Sequence, residues 1–179
     1  MARAPLFSLI ILLSLAISLP TNSKREMRRS SERLTHLHLY SYEAARGDAT
    51  AVVVAQAATT NTYRYRLGEV VVIDNRLAEG PNLSSRAVGR SQGMYAAVDV
   101  SNSAFLSVFN LVFTEGEFKG STLSMMGRYD AQSGEREFPI VGGNGVFRSA
   151  RGYARMRTYS DDMETGISVD EYHVYVIHS

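Results

Sequence analysis

Apolar and polar side chains alternate with a period of two residues from His36 to the C-terminus, rather than with the 3.6-residue period of a helix. The alternating runs are rich in Val, Ile, Tyr, Phe and Thr, and glycine-containing breaks separate them, as is typical of strands joined by turns. No segment is long and helically periodic enough to connect parallel strands, so antiparallel pairing is favoured. The predicted strands are 35–43, 50–58, 69–75, 88–98, 104–114, 117–128, 135–141, 152–160 and 167–178.

Eight or nine short strands with short connections predict a closed β-barrel, because closure removes the exposed sheet edges. A β-sandwich is the alternative, since periodicity alone does not distinguish the two architectures. A closed barrel of about eight strands is wide enough to hold one small ligand among its inward side chains.

The N-terminal region predicts secretion. Residues 1–23 have a basic start and an apolar run from Leu6 to Leu19, which is the pattern of a signal peptide with cleavage near 18–23. The run is shorter than the roughly 20 apolar residues of a membrane span, so we expect no membrane anchor. Residues 24–34 are predicted to form a flexible tail, and 35–179 a single β-barrel domain.

Composition excludes several classes of function. The chain contains no cysteine, which excludes thiol nucleophiles and thiolate metal sites, and its formal net charge of +1 gives no reason to expect nucleic acid as a partner. No nucleophile elbow, P-loop or dinucleotide-binding glycine pattern is present. Asn82 begins an Asn-Leu-Ser sequon in a predicted turn, where a secreted protein can carry a glycan.

Two charged residues are candidates for the inside of the barrel. Glu43 shares one face of the first strand with two leucines. If these leucines face inward, Glu43 lies at the cavity mouth, where desolvation raises a carboxyl pKa and favours proton donation. Arg136 shares a face with Phe138 and would pair with a carboxylate or bind a ligand oxygen. Alternation does not exclude a second interpretation of each residue. Glu43 would then be a strand-end glutamate facing water, and Arg136 would belong to an exposed charged triplet.

Aromatic side chains are candidate walls for a ligand ring, or ordinary core residues. The candidates are Tyr95, Tyr129, Phe109 and Phe113.

Three histidines have the arrangement of a three-histidine metal site. His36 and His38 lie two apart on one strand face, and His173 lies on a late strand that a barrel would bring nearby. No fourth ligand or carboxylate motif is recognisable beside them, so we predict that the protein binds no metal.

Five segments resemble the successive blocks of the plant dirigent protein family. They follow the family's order from about His36 to the C-terminus, so the resemblance covers essentially the whole predicted domain. It implies an eight-stranded antiparallel barrel similar to allene oxide cyclase, a homo-oligomer that is usually a trimer with a dimer as the alternative, and secretion to the apoplast. The segments are VVVIDNRLAEGPN (70–82), VGRSQGMY (88–95), NLVFTEGEFKGSTLSMMGR (110–128), EREFPIVGGNGVFRSARGYA (135–154) and YHVYVIH (172–178).

The resemblance also implies a function. Family members bind phenoxy radicals that a separate laccase or peroxidase makes from alcohols such as coniferyl alcohol, and they set the stereochemistry of coupling to lignans. Some relatives instead dehydrate isoflavanols through quinone methides to give pterocarpans, which is a lyase reaction. Neither activity needs a bound metal or organic cofactor. A non-catalytic cell-wall or defence binding protein is the third alternative.

Position by position, the resemblance carries the family's cavity aspartate to Glu43 and its cavity arginine to Arg136. It also marks Tyr95 in the block around SQGMY and Asp74 at the end of the VVVID strand as substrate-binding candidates.

One departure concerns a second acid that some lignan-forming members carry two residues after the glycine of the sixth strand. Tyr129 stands at that position, and strand alternation predicts that the neighbouring Asp130 lies on the opposite face unless a bulge intervenes.

Overall fold

The structure is a computed structural model that describes residues 32–179, so the predicted signal peptide and most of the predicted tail lie outside the described residues. Within residues 32–179 two short 3-10 turns occur, and neither has the length or apolar character needed to cross a membrane. The strands are β1 (Arg33–Ala44), β2 (Ala51–Ala55), β3 (Val70–Ala78), β4 (Ala87–Ala97), β5 (Ala104–Phe113), β6 (Thr122–Asp130), β7 (Arg136–Asn144), β8 (Arg151–Asp162) and β9 (Ile167–His178).

Pairing of β1 with two partners closes the sheet into a barrel. The strand order is β1-β9-β8-β7-β6-β5-β4-β3, and β1 also pairs with β3, every pair being antiparallel. The remaining strand, β2, pairs only with β3 at the edge of the barrel. The predicted eight-stranded antiparallel barrel is therefore confirmed, and the sandwich alternative is wrong.

Strand boundaries differ from the prediction most clearly before β6. The predicted strand 117–128 begins only at Thr122, because the chain turns through Gly116 and Gly120, which have φ of 77° and 81°. The backbone N–H of Gly120 donates to the carbonyl of Phe113 at 2.9 Å and fixes this turn. Positive φ is favourable for glycine and costly for other residues, which explains why the extended pattern is interrupted here.

One continuous apolar core fills the barrel from its middle to one end. Leu77, Leu111, Leu123 and Phe138 have no exposed surface. At the filled end, which we call the closed end, the fully buried ring of Phe147 packs against two further aromatic rings with centroids 5.6 and 5.0 Å away. Polar side chains that point inward are therefore concentrated at the opposite end, which we call the mouth.

Candidate functional site

Inward-facing polar side chains from all eight barrel strands meet at the mouth. Strand alternation directs them inward, since each shares a face with residues of the buried core. Glutamate, aspartate, arginine, tyrosine and smaller polar side chains all contribute. They are Glu43 (β1), Asn75 (β3), Tyr95 (β4), Ser107 (β5), Tyr129 (β6) and Arg136 (β7), joined by Thr158 (β8) and Asp170 (β9).

A charged pair between Arg136 and Asp170 forms one side of the mouth. The Arg136 guanidinium Nη2 lies 3.1 Å from Asp170 Oδ1, and the Arg136 side chain is only 9% exposed. Thr158 Oγ1 accepts a hydrogen bond from Arg136 Nη2 at 2.8 Å and donates one to Asp170 Oδ1 at 3.1 Å. This triangle fixes the plane of the guanidinium, which also lies 5.6 Å from the centre of the Tyr129 ring.

The guanidinium retains unused hydrogen-bonding capacity. Its Nε–H has no acceptor among residues 32–179. A guanidinium carries five N–H donors, so the pair with Asp170 leaves it able to bind a further oxygen atom.

Glu43 is a partly buried acid of the mouth on β1, the strand that pairs with the β9 strand of Asp170. Its Oε2 accepts a hydrogen bond from Asn75 Nδ2 at 3.3 Å, and Asn75 Oδ1 in turn accepts one from Thr50 Oγ1 at 2.6 Å. Burial raises the pKa of Glu43, and the negative charge of Asp170 acts in the same direction, while the hydrogen bond from Asn75 opposes them. A carboxyl with a raised pKa is suited to donate a proton near neutral pH.

Tyrosines supply neutral hydroxyl donors and aromatic surface at the same place. Burial raises the pKa of Tyr129 to about 12, and burial also raises the pKa of Tyr95, with a smaller effect from Glu43. Both phenols are therefore protonated in any physiological buffer. Phe105 lies between them, with ring centroids 5.4 Å from Tyr95 and 5.6 Å from Tyr129.

The structure brings four of the predicted site residues together at the mouth: Glu43, Arg136, Tyr95 and Tyr129. Phe109 lies deeper, edge-on to the buried rings of Phe138 and Tyr172 at 5.0 and 6.3 Å, as part of the core.

Two predicted substrate-binding residues lie elsewhere. Phe113 belongs to the closed end, where its ring packs against Phe118 and Phe147. Asp74 lies on the outer face of β3, because the buried residues Ile73 and Asn75 on either side of it point inward. Its Oδ1 accepts hydrogen bonds from Arg90 Nε at 2.7 Å and Gln92 Nε2 at 3.0 Å, outside the barrel.

Sequence reasoning missed several members of the mouth, above all Asp170. The sequence does indicate the position of Asp170. It lies two and four residues before Tyr172 and Val174 on β9, so its side chain shares their inward face.

The sequence indicates the positions of Asn75 and Thr158 in the same way. Asn75 lies two residues from Ile73 and Leu77 on β3, and Thr158 lies two residues from Met156 on β8.

The three histidines of the sequence analysis lie on the outer wall of the barrel. His36 and His38 project from β1 and His173 from β9, and His38 is in register with His173. Their rings stack, with centroids 4.2 Å apart for His38 and His173. Burial lowers the pKa of His173, and neighbouring His38 adds to this effect.

A buried carboxylate lies beneath these rings. Glu171 is only 4% exposed although it faces outward, because its neighbours cover it. The hydrogen bond and charge of Arg157, helped by hydrogen bonds from His38 and Tyr40, lower the pKa of Glu171 to about 2. Sequence reasoning missed Glu171, although it is two residues from His173.

Asn82, the predicted glycosylation site, is exposed in the β3–β4 turn. Its backbone is held by the hydroxyl of Tyr42, which donates to the Asn82 carbonyl at 2.8 Å. The side chain is therefore accessible on an anchored turn.

The raised pKa of Glu43 predicts a defined pH dependence of stability. The folded state holds the Glu43 proton more tightly than the unfolded chain does, so the contribution of this group to stability falls as pH rises above its ordinary value. Replacement by glutamine removes this penalty. We expect the denaturation midpoint of Glu43→Gln to rise relative to the parent between about pH 4 and about pH 8, as measured by circular dichroism.

Glu164→Gln is the control, since Glu164 is an exposed carboxylate in the β8–β9 turn. Its stability difference from the parent should stay flat with pH. A Glu43→Gln difference that shrinks as pH rises would contradict the assignment of Glu43 as a buried acid.

Comparison with known proteins gives a family. Residues 34–177 match the model of the family described as dirigent-like protein. Dirigent protein 1 of Arabidopsis thaliana is 44% identical to this chain over 176 residues, which cover 97% of the chain and 95% of that protein.

Two further relatives have names that refer to pterocarpans. Pterocarpan synthase 1 of Glycyrrhiza echinata is 38% identical over 149 residues, covering 82% of this chain and 79% of that protein. The solved structure of a pterocarpan synthase dirigent protein superposes with a TM-score of 0.75 at 38% identity, covering 82% of this chain and 91% of the other. With the barrel and its mouth, these matches show that the chain belongs to the dirigent protein family.

Proposed function

We propose that the protein binds phenoxy radicals of the coniferyl alcohol type in the mouth and sets the stereochemistry of their coupling. The observation that carries this proposal is the combination of aromatic walls with a partly buried acid and an oriented guanidinium at one opening. Tyr95, Phe105 and Tyr129 offer ring surfaces, while Arg136 offers donors for a phenol oxygen. A separate laccase or peroxidase supplies the radicals, so the protein itself performs no redox step.

Stereocontrol of this kind requires little energy. Discrimination between two mirror-image coupling geometries by tenfold corresponds to about 1.4 kcal/mol, which one fixed ring contact or hydrogen bond can supply. The rigid triangle of Arg136, Thr158 and Asp170 gives a fixed direction to the hydrogen-bond donors. Coupling of two radicals gives a bis-quinone methide. Ring closure of this intermediate then needs proton transfer, and we propose Glu43 as the group that provides it.

A second candidate function is a lyase that dehydrates an isoflavanol. The raised pKa of Glu43 and the similarity to pterocarpan synthases favour it. The C–O bond to the leaving hydroxyl breaks as Glu43 gives it a proton, so that water departs, while the para or ortho phenol loses its proton to solvent and becomes the quinone methide carbonyl. A second phenol hydroxyl then adds to the methide carbon, its proton returns to the glutamate, and the first phenol oxygen regains a proton from solvent. No oxidant is needed.

Assays with and without an added oxidant distinguish the candidate functions. A stereodirecting protein changes product handedness only when laccase is present, whereas a dehydratase consumes an isoflavanol without laccase. A cell-wall or defence binding protein changes no product distribution in either assay. Chiral chromatography of products from a panel of phenols, with and without laccase, therefore distinguishes all three.

Substitution of the two charged site residues tests the mouth directly. Glu43→Gln keeps size but removes the acid, and Arg136→Lys keeps charge but loses the planar fork. We expect each variant to lose product enantiomeric excess or dehydratase turnover. For Glu43→Gln the expected loss of turnover is about 10²–10⁴-fold, the range of a lost proton donor. Laccase-driven consumption of substrate should not change.

Asp74→Asn is the matched control, because Asp74 is an acid on the outer face of the same barrel. It should retain the selectivity of the parent. If Glu43→Gln and Arg136→Lys also retain it, the two residues are structural and the site assignment is wrong.

We also propose that the protein is a homo-oligomer, with a trimer favoured over a dimer. Four outward apolar side chains lie side by side in register across β3 to β6 and are 39 to 50% exposed: Val72, Met94, Val108 and Met126. A contiguous exposed apolar patch is typical of an interaction surface. A second copy of the chain is the partner that the family resemblance implies.

Met94→Arg places a charge at the centre of this patch, so we expect it to reduce the sedimentation coefficient to that of a monomer. Met163→Arg makes the same change at a methionine that is 73% exposed in the β8–β9 turn, and it should leave assembly intact. A parent protein that sediments as a monomer at micromolar concentration would refute the proposal.

Secretion to the apoplast is proposed from the N-terminal pattern and from the exposed sequon at Asn82. Mass spectrometry of protein expressed in a plant host should detect a first residue near 18–23 and a glycan on Asn82. A retained Met1 would contradict the predicted signal peptide, and Asn82→Gln provides the control for the glycan assignment.

A further inference from the structure

The outer wall carries a cluster of potential metal ligands that the proposed function does not use. We call it the outer cluster and define it as His38, Glu171 and His173. One ligand atom from each lies within 4.8 Å of the other two. His38 and His173 are half exposed, whereas Glu171 is buried below them. The cluster is therefore open to solvent on its histidine side.

The distances are close to those of a tetrahedral site. Glu171 Oε1 lies 2.7 Å from His38 Nε2 and 3.7 Å from His173 Nε2. Tetrahedral coordination with bonds of about 2.0–2.2 Å separates neighbouring ligand atoms by roughly 3.3 Å. Shifts of about half an ångström in two half-exposed rings bring each ring nitrogen to that distance from the carboxylate oxygen, and the strands need not move.

Neighbouring residues hold the carboxylate and one ring in place. Tyr40 donates its hydroxyl to Glu171 Oε1 at 3.0 Å, and Arg157 binds the other carboxylate oxygen. On the far side of His173, Nδ1 lies 3.1 Å from His36 Nε2, which leaves Nε2 of His173 to face the carboxylate. Partners of this kind around ligands are a regular feature of metal sites.

We propose that the outer cluster binds one divalent transition-metal ion of the Zn²⁺ and Cu²⁺ class. Two imidazoles with one carboxylate suit these ions and do not suit Mg²⁺ or Ca²⁺, which prefer oxygen ligands. The ion takes the place of the Nε2 proton between His38 and Glu171, and His38 binds it as a neutral imidazole with its ring proton on Nδ1. Water completes the coordination shell on the exposed side.

Arg157 does not prevent binding, because its charge is matched by Glu171. Its Nε binds Glu171 Oε2, whereas the ion would use Oε1. The guanidinium therefore occupies the opposite edge of the carboxylate. The site lies on the wall made by β1 and β9, away from the mouth and from the apolar patch of β3 to β6, so neither ligand binding nor assembly through that patch covers it.

The prediction that the protein binds no metal rests on the absence of a recognisable carboxylate beside the three histidines in the sequence. Glu171 is that carboxylate, and His36 supports His173 instead of joining the ligand set.

Isothermal titration of the full, tag-free protein with ZnCl₂ tests the proposal. We expect saturable binding of one ion per chain, no heat with MgCl₂, and a rise in denaturation midpoint with zinc that EDTA reverses. His38→Gln and His173→Gln should each weaken zinc affinity by at least about tenfold. Glu135→Gln, which removes an exposed carboxylate paired with Arg155 on the same wall, should change affinity less than about twofold.

Two results would overturn the proposal: the absence of saturable zinc binding by the parent, or histidine variants that both keep the parent's affinity. Circular dichroism of each variant without zinc verifies that it is folded, and two independent histidine variants keep the test decisive if one of them fails to fold.

Discussion

The barrel depends on the pairing of β1 with two strands at once. Along its whole length β1 is bonded to β9, and toward its C-terminal end it is bonded to β3 through three register pairs. Without that short seam, β1 and β2 would be the edges of an open sheet, and the charged groups of the mouth would face water. Tyr42 supports the seam from outside, since its hydroxyl binds the β3–β4 turn and its ring lies 4.9 Å from the guanidinium carbon of Arg76. The low exposure of Arg136, and with it the fixed direction of its donors, follows from closure.

In a closed barrel, adjacent residues of one strand lie in different chemical environments, because one side chain points into the barrel and the next points outward. Asp170 and Glu171 are neighbours on β9 and have the same functional group. Burial inside the barrel raises the pKa of Asp170, even though Arg136 opposes this, whereas the hydrogen bond from Arg157 on the outer wall lowers the pKa of Glu171. One strand thus contributes to the mouth on one face and to the outer cluster on the other, with little expected interaction between the two.

Alternation also explains how much the sequence alone could predict. It gave the nine strands and the antiparallel barrel, and it placed Glu43 and Arg136 on faces shared with apolar residues, which the structure directs inward. Asp74 was proposed from the resemblance, although the same alternation with Ile73 places it outside. Pairs such as Arg136 with Asp170 join residues 34 positions apart, and no local pattern predicts which strands will be neighbours. For the same reason Glu171 could not be recognised beside His38, which lies 133 positions before it.

The aromatic side chains at the closed end determine how molecules can enter and leave the barrel. Phe147 is fully buried there, and Val176 beside the same end has no exposed surface either, so the interior is a cup with one opening. Whatever enters must leave by the same route, past the same tyrosines. Two reactants bound together must enter one after the other, the first being held deeper than the second, and a product that has not yet departed occupies the path of the next arrival. Product and substrate would therefore compete for one opening.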